Sequence, residues 1–219
     1  MNERNCKKKS AACRAVIAVL AAQALLFAGV SQAQTDKHAG HRMAMQAEPT
    51  AEDAASVELH NRELINQDGE AVNFVDDVMG DRIVVMDFVY TTCTTVCPVL
   101  SAILGQVQKQ LADDLGAELR LVSVSVDPGR DTPERLKAYA ASHRAGPDWL
   151  WLTGEKSEVD EVLRGLGAYT PNFEDHPSMV LVGDVQTGQW KRFFGFPGPD
   201  KVVAAVASLR AARQVAYAI

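Results

Sequence analysis

The chain has 219 residues, 47% of them hydrophobic and 23% charged, with a formal net charge of −6. That length holds one domain of ordinary size with room for a leader and a tail. The composition sets aside collagen-like, disordered and polytopic membrane chains, and an acidic chain with no basic stripe argues against nucleic acid as a partner.

Lys7, Lys8, Lys9 and Arg14 form a positive segment ahead of the apolar run from Ala15 to Val30, and Ser31-Gln32-Ala33 offers a small-x-small cleavage site. This is the layout of a secretory signal peptide over residues 1–33, so the protein is expected to be exported, and periplasmic in a bacterium. The alternative is an uncleaved membrane anchor, although the run is shorter than the roughly 20 apolar residues a spanning helix needs. Removing the leader's +4 takes the formal charge from −6 to −10 and removes Cys6 and Cys13, leaving Cys93 and Cys97 as the only cysteines. An even, closely spaced pair in an exported chain points to an oxidising compartment and to two thiols that work together.

Residues 34–55 are polar and alanine-rich, are broken by Pro49, and read as a flexible arm. His38, His41, Met43 and Met45 gather four soft or borderline ligands within it; the arm either collects a soft metal ion or carries them by accident. From residue 56 the pattern is that of an α/β domain running to 219. Val57–Leu59 and Leu64-Ile65 flank short polar stretches, and with the turn signal Gln67-Asp68-Gly69-Glu70 they predict an N-terminal hairpin. Ile83–Tyr90 predicts a buried central strand, and Pro98 opens a helix of about 15 residues with Leu100, Ile103, Leu104, Val107 and Leu111 on one face. Leu119–Val126 is the next strand, and Asp131-Thr132-Pro133-Glu134 starts a helix that reaches about His143. A short strand at Trp149–Leu152, a helix at Ser157–Leu166, a hairpin of Met179–Gly183 with Trp190–Phe194, and a last helix from near Pro199 complete the pattern. Strands alternating with helices and closed by a hairpin imply a mixed sheet covered on both faces.

The chemistry concentrates in Tyr90-Thr-Thr-Cys93-Thr-Thr-Val-Cys97-Pro98, where a buried strand ends and a helix begins. Strand C-termini are favoured ligand sites in α/β sheets, and the positive helix N-terminus favours thiolate, the form that binds metal and attacks disulfides. A spacing of four lets both sulfurs converge on one ion or close into a bond. Three readings compete. A structural disulfide closing so short a loop constrains the unfolded chain little. Structural zinc wants four ligands. A redox or soft-metal site remains, since thiolates select copper(I) and imidazole can complete a three-coordinate set.

C-x-x-x-C-P at a strand-to-helix turn, followed by Ser123-Val-Ser-Val-Asp127-Pro128, Asp131-Thr132-Pro133 and Asp175-His176 ahead of an apolar strand, resembles the SCO/SenC family over roughly residues 57–212. The resemblance implies a thioredoxin-like fold. It also implies copper held by Cys93, Cys97 and His176, and a role in building the copper A centre of cytochrome c oxidase. The implied partners are copper ion, an apo cytochrome c oxidase subunit or another copper acceptor, and a thiol–disulfide reductase. Two positions depart from the pattern or extend it. Thr94 stands where many relatives have proline. His176-Pro177-Ser178-Met179 resembles the loop-to-strand junction of thioredoxins, so Pro177 is expected to be cis and Asp175 to orient the His176 ring. The resulting expectation is a copper chaperone; the competing one is a thiol–disulfide oxidoreductase to which copper is incidental. A peroxidase of the peroxiredoxin type would need an activating threonine and arginine in a different arrangement, and the sequence shows no such pattern.

Overall fold

The computed structural model describes residues 52–217. The leader and the His38/His41/Met43/Met45 motif lie outside them. Among the described residues eight strands form one mixed sheet: β1 (Glu52–Ala54), β2 (Glu63–Asn66), β3 (Ala71–Asn73), β4 (Ile83–Val89), β5 (Leu119–Ser125), β6 (Trp149–Thr153), β7 (Met179–Asp184) and β8 (Gln189–Phe194), in the order β1-β8-β7-β4-β5-β6-β2-β3. β4, β5 and β6 run parallel, and β7 lies antiparallel against β4. Every residue of β4 and β7 is buried, as a strand covered on both faces requires.

Alternation along β4 splits the core in two. Ile83, Val85 and Val89 point to the face covered by helices α1 (Val96–Gln110), α2 (Pro133–Ser142) and α4 (Pro199–Tyr217). Val84, Met86 and Phe88 point to the other, covered by α3 (Lys156–Leu166) through Val159, Val162, Leu163 and Leu166 at helical spacing. The mixed sheet flanked by helices is the architecture expected from the sequence. Among the described residues, no helix is long and apolar enough to cross a membrane.

The helix of 15 residues begins at Val96 rather than Pro98, which sits in its first turn where its missing N–H has no helical partner in any case. Thr132 caps α2, accepting at Oγ1 from the Arg135 amide at 3.4 Å, with Pro133 in the first position. Two local expectations need correction. The hairpin pairs Glu63–Asn66 with Ala71–Asn73, without Val57–Leu59. The chain at Glu58 instead donates its amide to the Gly165 carbonyl of α3, and a Cβ at Gly165 would lie 2.0 Å from the Glu58 oxygen. Glu52–Ala54, read as the end of the arm, is an edge strand on β8, because β8 leaves one row of backbone groups open for pairing. Phe74–Met79, unassigned in the sequence, forms a wide helical turn closed from the Gly80 amide to the Val75 carbonyl at 2.8 Å. At the base of β7, Asp184 is fully buried and receives two 2.7 Å hydrogen bonds from the Arg213 guanidinium of α4, tying the last helix to the sheet.

Candidate metal and thiol site

β4 ends at Val89, and the turn Tyr90–Thr95 carries the chain into α1. The first N–H groups of a helix have no helical acceptor. Here the Cys97 amide donates to the Cys93 sulfur at 3.4 Å, and the Thr95 hydroxyl lies 4.0 Å from that sulfur. Cys93 therefore occupies the place of a capping acceptor. It is 6% exposed, Cys97 is fully buried, and both are free thiols.

The two thiols are not equivalent. Burial works against ionising Cys93, but hydrogen bonds from the Cys97 thiol, the Cys97 and Thr95 amides and the Tyr90 hydroxyl bring it down to about 6. Burial pushes the Cys97 thiol far up, and the neighbouring Cys93 adds to the shift. Burial and the same Cys93 contact raise the Tyr90 hydroxyl to about 12, so it remains a donor to sulfur at any physiological pH.

His176 follows the short turn Phe173–Asp175 at the entry to β7. Its Nδ1 lies 2.8 Å from the Phe173 carbonyl oxygen, an obligate acceptor, so Nδ1 carries the proton and Nε2 presents its lone pair. That Nε2 is buried and has no hydrogen-bond partner. The Tyr90 ring stands edge-on to His176 at 5.6 Å and to Phe173 at 5.1 Å, joining the histidine loop to the residue that contacts Cys93. The residues present thus suit a soft ion: two thiols at a helix N-terminus and an imidazole with an unclaimed nitrogen. As they stand they do not close around one. Among the described residues, no three His, Cys, Asp or Glu side chains converge closely enough to hold a metal.

Two accessory expectations are overturned. Asp175 does not orient His176; its carboxylate accepts from the Asn172 side-chain amide at 3.0 Å, because the tight turn lays the Phe173 carbonyl, three residues back, against the ring. None of the described peptide bonds is cis, so Pro177 is trans. His176 at φ −61° and ψ 144° is in the extended region that a residue before proline prefers, and the trans form is the lower-energy one. His143, at the end of α2, packs 4.6 Å from the Tyr139 ring, and burial disfavours its charge.

Sequence reasoning missed three polar neighbours. Tyr90 was legible as the end of an apolar run and the first residue of the cysteine motif, with no role of its own. Asp131, read as part of a helix start, is 1% exposed and binds the cysteine turn. Asp87, inside the fully buried β4, faces the α1 side of the sheet; its Oδ1 accepts from the Ser123 hydroxyl at 2.5 Å, which accepts in turn from Trp149 Nε1 at 2.9 Å. Its Oδ2 is buried without a partner. Burial raises the Asp87 carboxyl to about 7. The folded state therefore keeps this proton where the unfolded chain, at 3.8, has lost it, so stability is full below pH 4 and falls as pH rises to 7. The loss is at most about 4 kcal/mol at about 1.36 kcal/mol per pH unit. Urea midpoints of the wild type should fall between pH 4.5 and 7.5 while those of Asp87→Asn stay level; parallel curves would show that Asp87 does not titrate in this range.

The SCO1/SenC family model matches residues 51–209, which spans the whole sheet and every residue of the candidate site. The chain belongs to the SCO1/SenC family. This SCO1/SenC chain is 36% identical over 127 residues to the SCO1 homologue of Bacillus subtilis (strain 168), an alignment covering 54% of this chain and 64% of that protein. It thus spans a little under two thirds of that relative's length. It is similar in structure to BsSco, described as a member of the Sco family of cytochrome c oxidase assembly proteins with a disulfide switch: TM-score 0.60 and 28% identity, covering 71% of this chain and 95% of that one. It also shares its fold with Arabidopsis thaliana ScoI, solved with copper bound, at TM-score 0.59 and 23% identity, covering 72% and 99% of the two chains. Thioredoxin-like architecture is thereby shown.

Proposed function

We propose that this SCO1/SenC protein binds one copper ion through Cys93, Cys97 and His176 and passes it to a copper-accepting subunit, that of cytochrome c oxidase or a similar exported acceptor. The observation that carries the reading is the buried, partnerless Nε2 of His176, held in the ligand tautomer beside the tyrosine that contacts Cys93. A buried nitrogen without a partner is costly in an apoprotein and is relieved by a ligand. Copper capture draws the His176 segment toward the cysteines. Copper is cargo here, and the relatives' descriptions, copper-bound in one case and assigned to oxidase assembly in the other, agree with that role. The leader over 1–33 would place the domain outside the cytoplasm, cleaved after Ala33 or kept as an anchor, and His38, His41, Met43 and Met45 would serve as an accessory copper-collecting arm.

The unequal thiols favour a second activity of the same site. Cys93 thiolate attacks an acceptor's disulfide, releasing one acceptor thiolate and forming a mixed disulfide. Cys97 then gives up its proton to solvent and attacks the Cys93 sulfur, releasing the second acceptor thiolate and leaving a Cys93–Cys97 disulfide that an external thiol–disulfide reductase returns to dithiol. The two roles are exclusive at any moment, since both need the same reduced sulfurs.

Copper(I) competition against a chromophoric chelator tests the reading. The reduced protein should take one equivalent, and the protein oxidised to the Cys93–Cys97 disulfide none. Failure of the reduced protein to compete would leave disulfide exchange as the function.

A further inference from the structure

Beyond Val89 the cysteine turn leaves the sheet: the last ladder bond at this corner runs from the Val126 amide to the Val89 carbonyl at 2.9 Å. The backbone N–H of Thr91, two residues before Cys93, then needs an acceptor from elsewhere in the fold. It finds one 40 residues away. Both carboxylate oxygens of Asp131 lie 3.2 Å from the Thr91 amide, and Oδ1 accepts from the Thr91 hydroxyl at 2.5 Å. Oδ2 also accepts from the Ser125 hydroxyl at 2.7 Å, and the Ser125 oxygen in turn accepts from the Asp127 amide at 3.1 Å. The Asp131 amide donates to the Asp127 carbonyl at 2.9 Å. One carboxylate, 1% exposed, therefore pins together the turn after β4, the end of β5 and the approach to α2.

We propose that Asp131 is a positioning residue for the copper and thiol site: it sets where the Cys93 sulfur stands against the Cys97 amide and the Tyr90 hydroxyl. The inference rests on the copper–thiol reading above. The chain from Tyr90 to Cys93 is short, and the Cys93 amide donates to the Tyr90 carbonyl at 3.0 Å, so a turn released at Thr91 shifts the Cys93 sulfur relative to the Cys97 amide, which the first turn of α1 holds in place. A neutral amide in place of the carboxylate would face the Thr91 N–H with a group that is half donor, and it would lose the charge that strengthens all three hydrogen bonds. Partners one layer behind a metal ligand typically cost 10–100-fold in affinity when removed.

The test compares wild type, Asp131→Asn, Thr91→Val and Thr91→Ser for copper(I) affinity by chelator competition and for the pH profile of Cys93 alkylation. Asp131→Asn should lose roughly 10–100-fold in copper(I) affinity, and its alkylation midpoint should move up from near 6, because the donors that hold the thiolate are displaced. Thr91→Val, which keeps the backbone bond, should shift both readouts less and in the same direction, and Thr91→Ser should restore them. Arg213→Lys, which disturbs the buried pair at the far end of the sheet, should lower the melting temperature without moving either readout. A folded Asp131→Asn with wild-type affinity and profile would overturn the proposal. If Asp131→Asn does not fold, a Thr91→Val indistinguishable from wild type overturns it instead. Should wild type bind no copper(I), the copper reading fails, and the alkylation profiles alone decide whether Asp131 positions Cys93.

Discussion

Cys93→Ser is expected to abolish both copper(I) binding and disulfide exchange, whereas Cys97→Ser should abolish tight copper binding and leave a reactive thiol behind. The asymmetry follows from where the two sulfurs sit. Cys93 retains slight exposure and receives the Cys97 amide at the helix N-terminus, so despite burial its thiol ionises near pH 6. Cys97 is fully buried and its thiol is pushed far above the ordinary cysteine range. Alkylation followed by mass spectrometry should therefore label Cys93 alone in the wild type, with a rate that rises through pH 6 and is flat by pH 8. In Cys97→Ser the thiol hydrogen bond to Cys93 is replaced by one from a hydroxyl while the amide remains, so Cys93 should stay the reactive group with a modestly altered midpoint. Labelling of Cys97 ahead of Cys93 in the wild type would reverse the assignment of attacking and resolving thiols.

His176→Ala should weaken copper(I) binding by at least 10–100-fold, the range lost when even a ligand's orienting partner is removed, while leaving Cys93 alkylation unchanged at pH 7. The second half discriminates. The groups that hold the Cys93 thiol down are Cys97, Thr95 and Tyr90, and His176 is not among them. A variant that lost copper affinity and thiol reactivity together would indicate a collapsed turn rather than a missing ligand. Asp175→Asn is the natural comparison: its carboxylate serves Asn172 and not the ring, so affinity should stay at the wild-type level. Chelator competition on the two reduced variants gives both results, and unchanged affinity in His176→Ala would remove the histidine from the ligand set and leave a two-thiolate site.

Much of the fold was legible because it is written at short range. β4 and β7 are mostly apolar runs, and burial on both faces makes such runs continuous rather than alternating. α2 carries its own start, Thr132-Pro133, and α3 its stripe of Val159, Val162, Leu163 and Leu166. The elements that were missed depend on distant partners. Glu52–Ala54 becomes a strand only because β8 offers an edge, and residues around Glu58 stay outside the sheet because Gly165 on α3 lets the backbone pass close and accepts the Glu58 amide.

The same division runs through the site. The sequence by itself determined the cysteine pair and its place at a strand-to-helix turn, because a C-x-x-x-C-P motif and an apolar run are local patterns. It also marked His176, through its place between a loop and an apolar strand in a recognisable order of motifs. Only the tertiary structure decided which thiol is acidic, since that depends on burial and on which amide reaches which sulfur. It also decided that the Phe173 carbonyl rather than Asp175 orients the histidine, that Pro177 is trans, and that Asp131 anchors the turn from 40 residues away. Hydrogen-bond direction and desolvation are properties of three-dimensional neighbourhoods, and residues far apart in the chain leave no periodic trace of having met.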